Sequence, residues 1–426
     1  MSPRELLEAS FRAAVAAADP LEAVPPHLPP PPEGRTLVLA LGKAACGMAL
    51  AVERHWPAEK PLYGIALTRY GHARALERIR LREASHPLPD RAGEEAAREM
   101  LSAARALGSA DLLLALVSGG GSALLALPAE GITVEDLRQV TRELLACGAT
   151  IQEINAVRKH LSAIQGGRLA AACRAPVLAL AISDVTGDEP THIASGPCAP
   201  DPTTYQDALE VLERYAIRPP RAVLEHLVAG VRGERPETPK PGDPVFARVE
   251  NRVIASAQRS LEAAARVFRD AGIAAAILSD SVSGEAREAA KVMAAIARQV
   301  RVRGEPFRPP VALISGGECT VTLRAKGGRG GRCSEFLLSL AVELGGLPGV
   351  HAIAADTDGL DGTEENAGAL LSPDTLARAA AQGADARRLL AANDSYGFFA
   401  ALGDLVVTGP TGTNVNDYRA ILVLPD

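Results

Sequence analysis

Asp111-Leu112-Leu113-Leu114-Ala115-Leu116-Val117-Ser118-Gly119-Gly120-Gly121-Ser122 is the stretch whose reading decides the fold. The run from Asp111 to Val117 is short and almost wholly apolar, as a parallel strand buried on both faces requires. The glycines behind it end the strand in a tight turn. Working outward, Thr36 to Leu41 repeats the pattern and stops at Gly42, and Leu62 to Thr68 supplies another strand. Pro176 to Ser183 adds a further one and ends at Asp184. Helices are predicted between them, over Lys43–Trp56, Asp90–Leu107, Thr133–Ala146 and Val157–Cys173, with Asp90 as an N-cap. This alternation predicts an α/β domain with a mainly parallel sheet.

Between Arg232 and Val245 the chain is rich in proline, with Pro236, Pro239, Pro241 and Pro244. A connector is expected over 236–245, dividing a domain at 1–235 from one at 246–426. Beyond it, strands are expected at Arg252–Ser256, Ala274–Ser279, Val311–Ser315, Thr320–Arg324, Val350–Ala355, Leu405–Thr408 and Arg419–Leu424. Helices are expected at Ser260–Ala271, Gly284–Val302, Gly331–Leu344 and Pro373–Gln382. The close spacing within Val311–Arg324 and Leu405–Leu424 suggests antiparallel pairs, so the second sheet should be mixed.

Composition removes several classes of function. The chain has 426 residues and a formal charge of −6, so it offers no overall attraction to nucleic acid or an anionic membrane. Aromatic residues are only 3%, too few for a base-stacking surface. No apolar run reaches the roughly 20 residues of a membrane span. The N-terminal stretch Met1–Ala18 reads as an amphipathic helix rather than a signal peptide. The six cysteines are scattered without a Cys-x-x-Cys pair, so neither a disulfide framework nor a zinc site is indicated. A cytoplasmic protein is the expectation.

Ligands of a parallel α/β sheet sit at the carboxyl ends of its strands. Those ends here carry Gly42-Lys43-Ala44, Ser118-Gly119-Gly120-Gly121-Ser122 and Ser183-Asp184-Val185-Thr186-Gly187-Asp188. In the second half they carry Ser315-Gly316-Gly317-Glu318, Asp356-Thr357-Asp358-Gly359-Leu360-Asp361 and Thr408-Gly409-Pro410-Thr411-Gly412-Thr413-Asn414. The glycine turn at Ser118–Ser122 can bring backbone N–H groups close to a phosphate or carboxylate. Lys43 stands out because only six of the 45 basic residues are lysine; it suits charge stabilisation of a transferred phosphoryl group. Arg332, within Gly328-Arg329-Gly330-Gly331-Arg332, can grip an anion with both arms of its fork.

Asp184 and Asp188 flank a glycine turn and are candidate Mg²⁺ ligands, one of which could instead accept a proton. Asp356, Asp358 and Asp361 crowd a second turn and offer a weaker metal position. Glu318, Asp358, Thr411 and Asn414 are candidate substrate or nucleotide contacts. Turn and cap formation is the plain alternative for the Asp and Asn residues. The chain contains no Gly-x-Gly-x-x-Gly fingerprint, no Walker A loop, no Gly-x-Ser-x-Gly elbow and no His-Glu-x-x-His. Cys333, beside Arg332, has no paired base and reads as a neutral loop residue.

In this order the strand-end motifs resemble the glycerate 2-kinase family, whose C-terminal part is the MOFRL domain. Asn155-Ala156-Val157-Arg158-Lys159-His160-Leu161-Ser162 and Ser195-Gly196-Pro197 carry the resemblance further. It implies an N-terminal Rossmann-like parallel-sheet domain and a C-terminal α/β domain with a mixed sheet, with the active site in the cleft between them. It implies phosphoryl transfer from ATP to the 2-hydroxyl of D-glycerate with Mg²⁺ or another divalent cation. It places the family's catalytic lysine on Lys43 and its catalytic arginine on Arg332. Asp188 joins them as a candidate base. Glycerate and ATP are the expected small-molecule partners, and a homodimer is compatible with the family. The rival readings are an NAD(P)H-dependent hydroxypyruvate reductase and a non-catalytic sensor of a sugar acid or nucleotide.

Overall fold

The apolar strand runs become the centre of a parallel sheet. β1 (Thr36–Leu41), β2 (Leu62–Arg69), β3 (Ile79–Ala84), β4 (Leu112–Ser118), β5 (Val177–Ile182) and β6 (Val249–Ala255) lie in the order β3-β2-β1-β4-β5-β6. Every pairing among β1 to β5 is parallel and in continuous register. β1, β4 and β5 are buried along their whole length, which is why they carry no alternating polar residues. Helices cover the sheet, among them Ala45–His55 and Arg91–Arg105, the latter capped by the Asp90 side chain on the Gly93 N–H.

The computed structural model describes residues 1–324 and 327–425, in two compact units. One is Pro20–Ile254; the other joins Met1–Asp19 to Ala255–Asp426. This differs from the expected division at 1–235 and 246–426 in two ways. The first is that the proline-rich segment is not a free connector. The Pro239 carbonyl accepts from the Asp201 N–H, Glu237 accepts from the Tyr205 N–H, and Arg248 donates to the Cys173 carbonyl. Thus held, the chain adds β6 beside β5 before leaving the unit, so the strand expected in the second domain belongs to the first sheet.

The second difference is the N-terminal helix, Pro3–Ala16, which packs Leu7, Phe11 and Ala14 against Leu261, Phe268 and Tyr418 of the second unit. The Tyr418 hydroxyl donates to Ser10 Oγ at 2.8 Å.

The second unit contains β7 (Ala274–Ser279), β8 (Gly284–Glu285), β9 (Val311–Ser315), β10 (Cys319–Thr320), β11 (Val350–Asp356), β12 (Gly368–Leu371), β13 (Leu405–Val406) and β14 (Asp417–Val423). Its main sheet has the order β13-β12-β11-β14-β9-β7. β7 and β9 are parallel and the other neighbours antiparallel, so the sheet is mixed as expected. The antiparallel partners differ from those expected. β10 is two residues long and pairs in parallel with β8, not with β9. β14 lies between β11 and β9, and β13 pairs with β12. The helix expected over Val157–Cys173 is two helices, Ile151–His160 and Arg168–Ala172; Gly166 and Gly167, both at positive φ, turn the chain between them.

Candidate active site

The chain builds β2 and β3 on one side of β1, then β4 to β6 on the other. The strand order therefore reverses between β1 and β4, the point at which a crevice opens beyond the carboxyl ends of such sheets. Lys43 follows β1 and Gly119 follows β4, and they are tied together: the Lys43 N–H donates to the Gly119 carbonyl at 2.9 Å. Ser118 completes the tie. Its hydroxyl donates to the Leu41 carbonyl at 3.0 Å and accepts from the Ala44 N–H at 3.1 Å. Ser118 is buried and thus engaged, so it holds the loops rather than facing a ligand.

Two glycines of the turn are required by their surroundings. A Cβ on Gly119 would lie 2.0 Å from Asp184 Oδ2, so the Asp184 carboxylate rests directly on the Gly119 backbone. Gly120 has a φ of +79°, and a Cβ there would lie 3.2 Å from His86 Nε2 and 3.4 Å from Lys43 Cγ. Ser122 accepts from Ser195 Oγ at 2.8 Å, and Gly121 packs on Ala194.

The same edge holds groups that the sequence reading missed. Arg69 ends β2, His86 lies just beyond β3, and Arg158 comes from the helix Ile151–His160. Burial, followed by the charges of Lys43, Arg69, Arg158 and His72, pushes the His86 imidazole down to about 4. Burial alone pulls the Arg158 guanidinium down to about 10. Among the described residues no carboxylate pairs with Arg158 or Arg69. Lys159 differs: it is fully buried, 3.1 Å from Asp201 Oδ1, and is part of the packing.

Asp184 sits in this cluster through Gly119. Asp188 has a φ of +56°, and its N–H closes the turn onto the Val185 carbonyl at 3.1 Å. No contact brings its side chain to Asp184 among the described residues. Among the described residues no three His, Cys, Asp or Glu side chains are grouped to hold a metal there either. Magnesium bound with a nucleotide needs only one or two carboxylates, with phosphates and water completing its shell. The single carboxylate of Asp184, set at the glycine turn, fits that requirement.

The second unit organises its half around Arg332, the first residue of the helix Arg332–Leu344. Its Nε donates to Asp417 Oδ1 at 2.7 Å, one terminal nitrogen to Asp356 Oδ2 at 2.6 Å, and the other lies 3.1 Å from Glu318 Oε1. Asp417 also binds Arg419. Burial pushes the Asp356 carboxyl well above the usual range; Arg332 opposes this, while Asp358 and Asp417 add to it. Burial likewise drives the Cys333 thiol upward, in keeping with a neutral residue.

The loop before Arg332 is clamped. Asn393 accepts from the Arg324 N–H at 2.8 Å and donates to Glu335 at 3.1 Å, and Glu335 pairs with the buried Arg287. Arg329 lies over the Tyr396 ring at 4.8 Å, while the Tyr396 N–H binds the Arg329 carbonyl.

The other candidates of this unit knit its loops. Asp358 accepts from the Leu360 N–H and its carbonyl from the Thr411 N–H, while the Thr411 hydroxyl donates to the Thr357 carbonyl. Asn414 Oδ1 accepts a long 3.4 Å bond from the Asn416 N–H. Asp361 is not available to a metal: it accepts from the Cys333 and Ser334 N–H groups and from Ser334 Oγ. That makes it the side-chain cap of the helix beginning at Arg332.

A doubly wound parallel sheet with a cationic switch point, coupled in sequence to a mixed-sheet unit with an oriented arginine, defines a two-unit α/β protein. Comparison with known proteins identifies the family. Residues 6–228 match the domain of unknown function DUF4147, and residues 311–417 match the MOFRL family. A glycerate 2-kinase of Pyrococcus horikoshii is 43% identical over 92% of this chain and 88% of its own. A protein of Agrobacterium vitis is 52% identical over 99% of this chain and 95% of its own, and bears a provisional hydroxypyruvate reductase name. The crystal structure of a glycerate kinase from Thermotoga maritima superposes with a TM-score of 0.89 at 38% identity, covering 99% of this chain and 100% of that one. The chain belongs to the glycerate 2-kinase family with a C-terminal MOFRL domain. Among the described residues no helix is long and apolar enough to cross a membrane.

Proposed function

We propose that the chain transfers the γ-phosphoryl group of ATP to the 2-hydroxyl of D-glycerate, giving 2-phosphoglycerate and ADP. The observation that carries this reading is the tie of Lys43 to Gly119 at the switch point, with Asp184 on the same turn. Phosphoryl transfer asks chiefly for positioning and for neutralised phosphate oxygens. Lys43 and the backbone of the glycine turn would receive those oxygens. Asp184, with Asp188 as a second carboxylate, would hold Mg²⁺, which neutralises phosphate charge when bound.

The substrate oxygen would attack the γ-phosphorus as the bond to the β,γ-bridging oxygen breaks, and the hydroxyl proton would pass to Asp188 or Asp184. Arg332 would add its charge to the transferring group. Asp356 and Asp417 would hold its guanidinium in a fixed direction for that task.

Incubation with Mg-ATP and D-glycerate, followed by phosphorus NMR, tests this. A 2-phosphoglycerate resonance is expected. A 3-phosphoglycerate resonance would refute the regiochemistry, and absence of product would refute the kinase. The reductase name carried by the Agrobacterium relatives supports a second reading. It predicts oxidation of NADH by hydroxypyruvate, which the kinase reading does not.

A further inference from the structure

The cationic edge of the parallel sheet contains more positive charge than a glycine turn and one lysine explain. Lys43, Arg69 and Arg158 all press on the His86 imidazole, and His86 reaches the Gly120 backbone beside the Lys43 stem. Arg158 and Arg69 are half-buried, and among the described residues neither forms an ion pair or a side-chain hydrogen bond to the protein. Holding an arginine such as Arg158 partly out of water without a counter-ion is unfavourable. A bound anion would offset that cost.

The surroundings select the kind of anion. Nucleotide phosphates arrive with Mg²⁺, which like-charged arginines repel and a carboxylate such as Asp184 attracts. An arginine that no carboxylate answers among the described residues suits an anion that brings no metal. A guanidinium fork also matches the two oxygens of a carboxylate. An imidazole kept neutral by burial and by its cationic neighbours still has one ring N–H to donate.

We propose that Arg158, with Arg69 and His86, is the subsite that grips the carboxylate of a small 2-hydroxy acid. This deepens the kinase reading and rests on it for the identity of the acid. In such an acid the carbon bearing the 2-hydroxyl is bonded directly to the carboxylate carbon. Anchoring the carboxylate therefore brings the 2-hydroxyl, and not the more distant 3-hydroxyl, towards Lys43 and the glycine turn.

Isothermal titration with sodium D-glycerate alone and with Mg-ATP alone, on the full chain and on Arg158→Ala, Arg158→Lys and Arg69→Ala, decides the matter. Arg158→Ala should weaken D-glycerate by about 100-fold, as loss of a charge-assisted pair does, while Mg-ATP stays within about threefold. Arg158→Lys should recover part of the loss, because the charge returns without the fork. Arg158→Ala should also melt no lower than the parent chain, since its removal strands no partner; if it fails to fold, Arg69→Ala supplies the same binding test. A loss of Mg-ATP affinity with D-glycerate unaffected would overturn the proposal and assign the cluster to nucleotide phosphate. No change in either affinity would also overturn it. If D-glycerate binds, depends on Arg158, and yet is not phosphorylated, the subsite stands and the kinase reading falls.

Discussion

Two arginine environments in this chain are built on opposite principles. Arg158 is half-buried, and among the described residues no carboxylate answers it. Arg332 is surrounded by three, with Asp356 and Asp417 buried and Glu318 at the surface. The first is a charge waiting for a partner; the second is a charge already oriented. Around Arg332, counting Arg419 as well, three carboxylates face two guanidiniums. The balance is negative until a proton or a cation joins, which is the sense in which burial and Asp417 push the Asp356 carboxyl upward. The lesson is that pairing state separates roles that residue type does not. An unpaired cation recognises a free anion. A fully paired one fixes geometry, and suits a group whose negative charge travels with a metal.

Substituting the cations themselves should give the largest effects. Lys43→Ala and Arg332→Ala should each lower kcat with Mg-ATP and D-glycerate by about 10²- to 10⁴-fold, the range for a group that stabilises developing charge. Arg332→Lys should fail nearly as badly. An ammonium cannot satisfy separate acceptors for Nε and both terminal nitrogens in fixed directions. Steady-state turnover measures this, and a fully active Arg332→Lys would erase the distinction drawn between the two regions.

A smaller effect, on stability rather than rate, follows from Asp417. It is buried and shared by Arg332 and Arg419, so Asp417→Ala leaves two guanidiniums without their common anion. The cost should be about 3–5 kcal/mol, read as a lowered denaturant midpoint. Arg158→Ala should show no such fall. Equal destabilisation by both variants would mean that Arg158 has a structural partner after all.

How much of this was legible in the sequence depended on which interaction wrote the pattern. β1, β4 and β5 are buried on both faces, so their apolar runs mark them within a residue or two. β3 is the edge strand, reading Ile79-Arg80-Leu81-Arg82 with exposed arginines, and an alternating polar pattern hid it. Missing β3 also hid His86, which lies just beyond it. Arg158 lies inside the Asn155–Ser162 motif, yet nothing in the order of residues reveals that it lacks a counter-ion among the described residues. Conversely, Asp361 and Asp356 look alike in one turn. Only the fold shows that the former caps a helix while the latter holds Arg332. The proline-rich stretch misled for a similar reason: composition predicts a solvated connector, but Glu237 and the Pro239 carbonyl bind the unit behind it.

The comparison can be sharpened most finely by pH. His86 is pushed down to about 4 by burial and by Lys43, Arg69, Arg158 and His72, whereas an unfolded histidine titrates near 6.5. Between those values the unfolded chain binds a proton that the folded chain refuses. Stability from this group is therefore fully present above pH 6.5 and is lost as pH falls towards 4. His192, His226 and His351 are also depressed by burial and add a slope of the same sign, so the difference between parent and variant is the useful quantity. Urea midpoints across pH 4 to 7 should fall less steeply for His86→Gln. Arg158→Ala should flatten the curve part of the way, because one of the charges pressing on the imidazole is gone. Saturating D-glycerate should act in the same direction by placing a negative charge beside the ring. Coincident curves for the parent chain and His86→Gln would show that the cations at the sheet edge do not act on this imidazole. The contrast with the paired Arg332 would then lose its electrostatic basis.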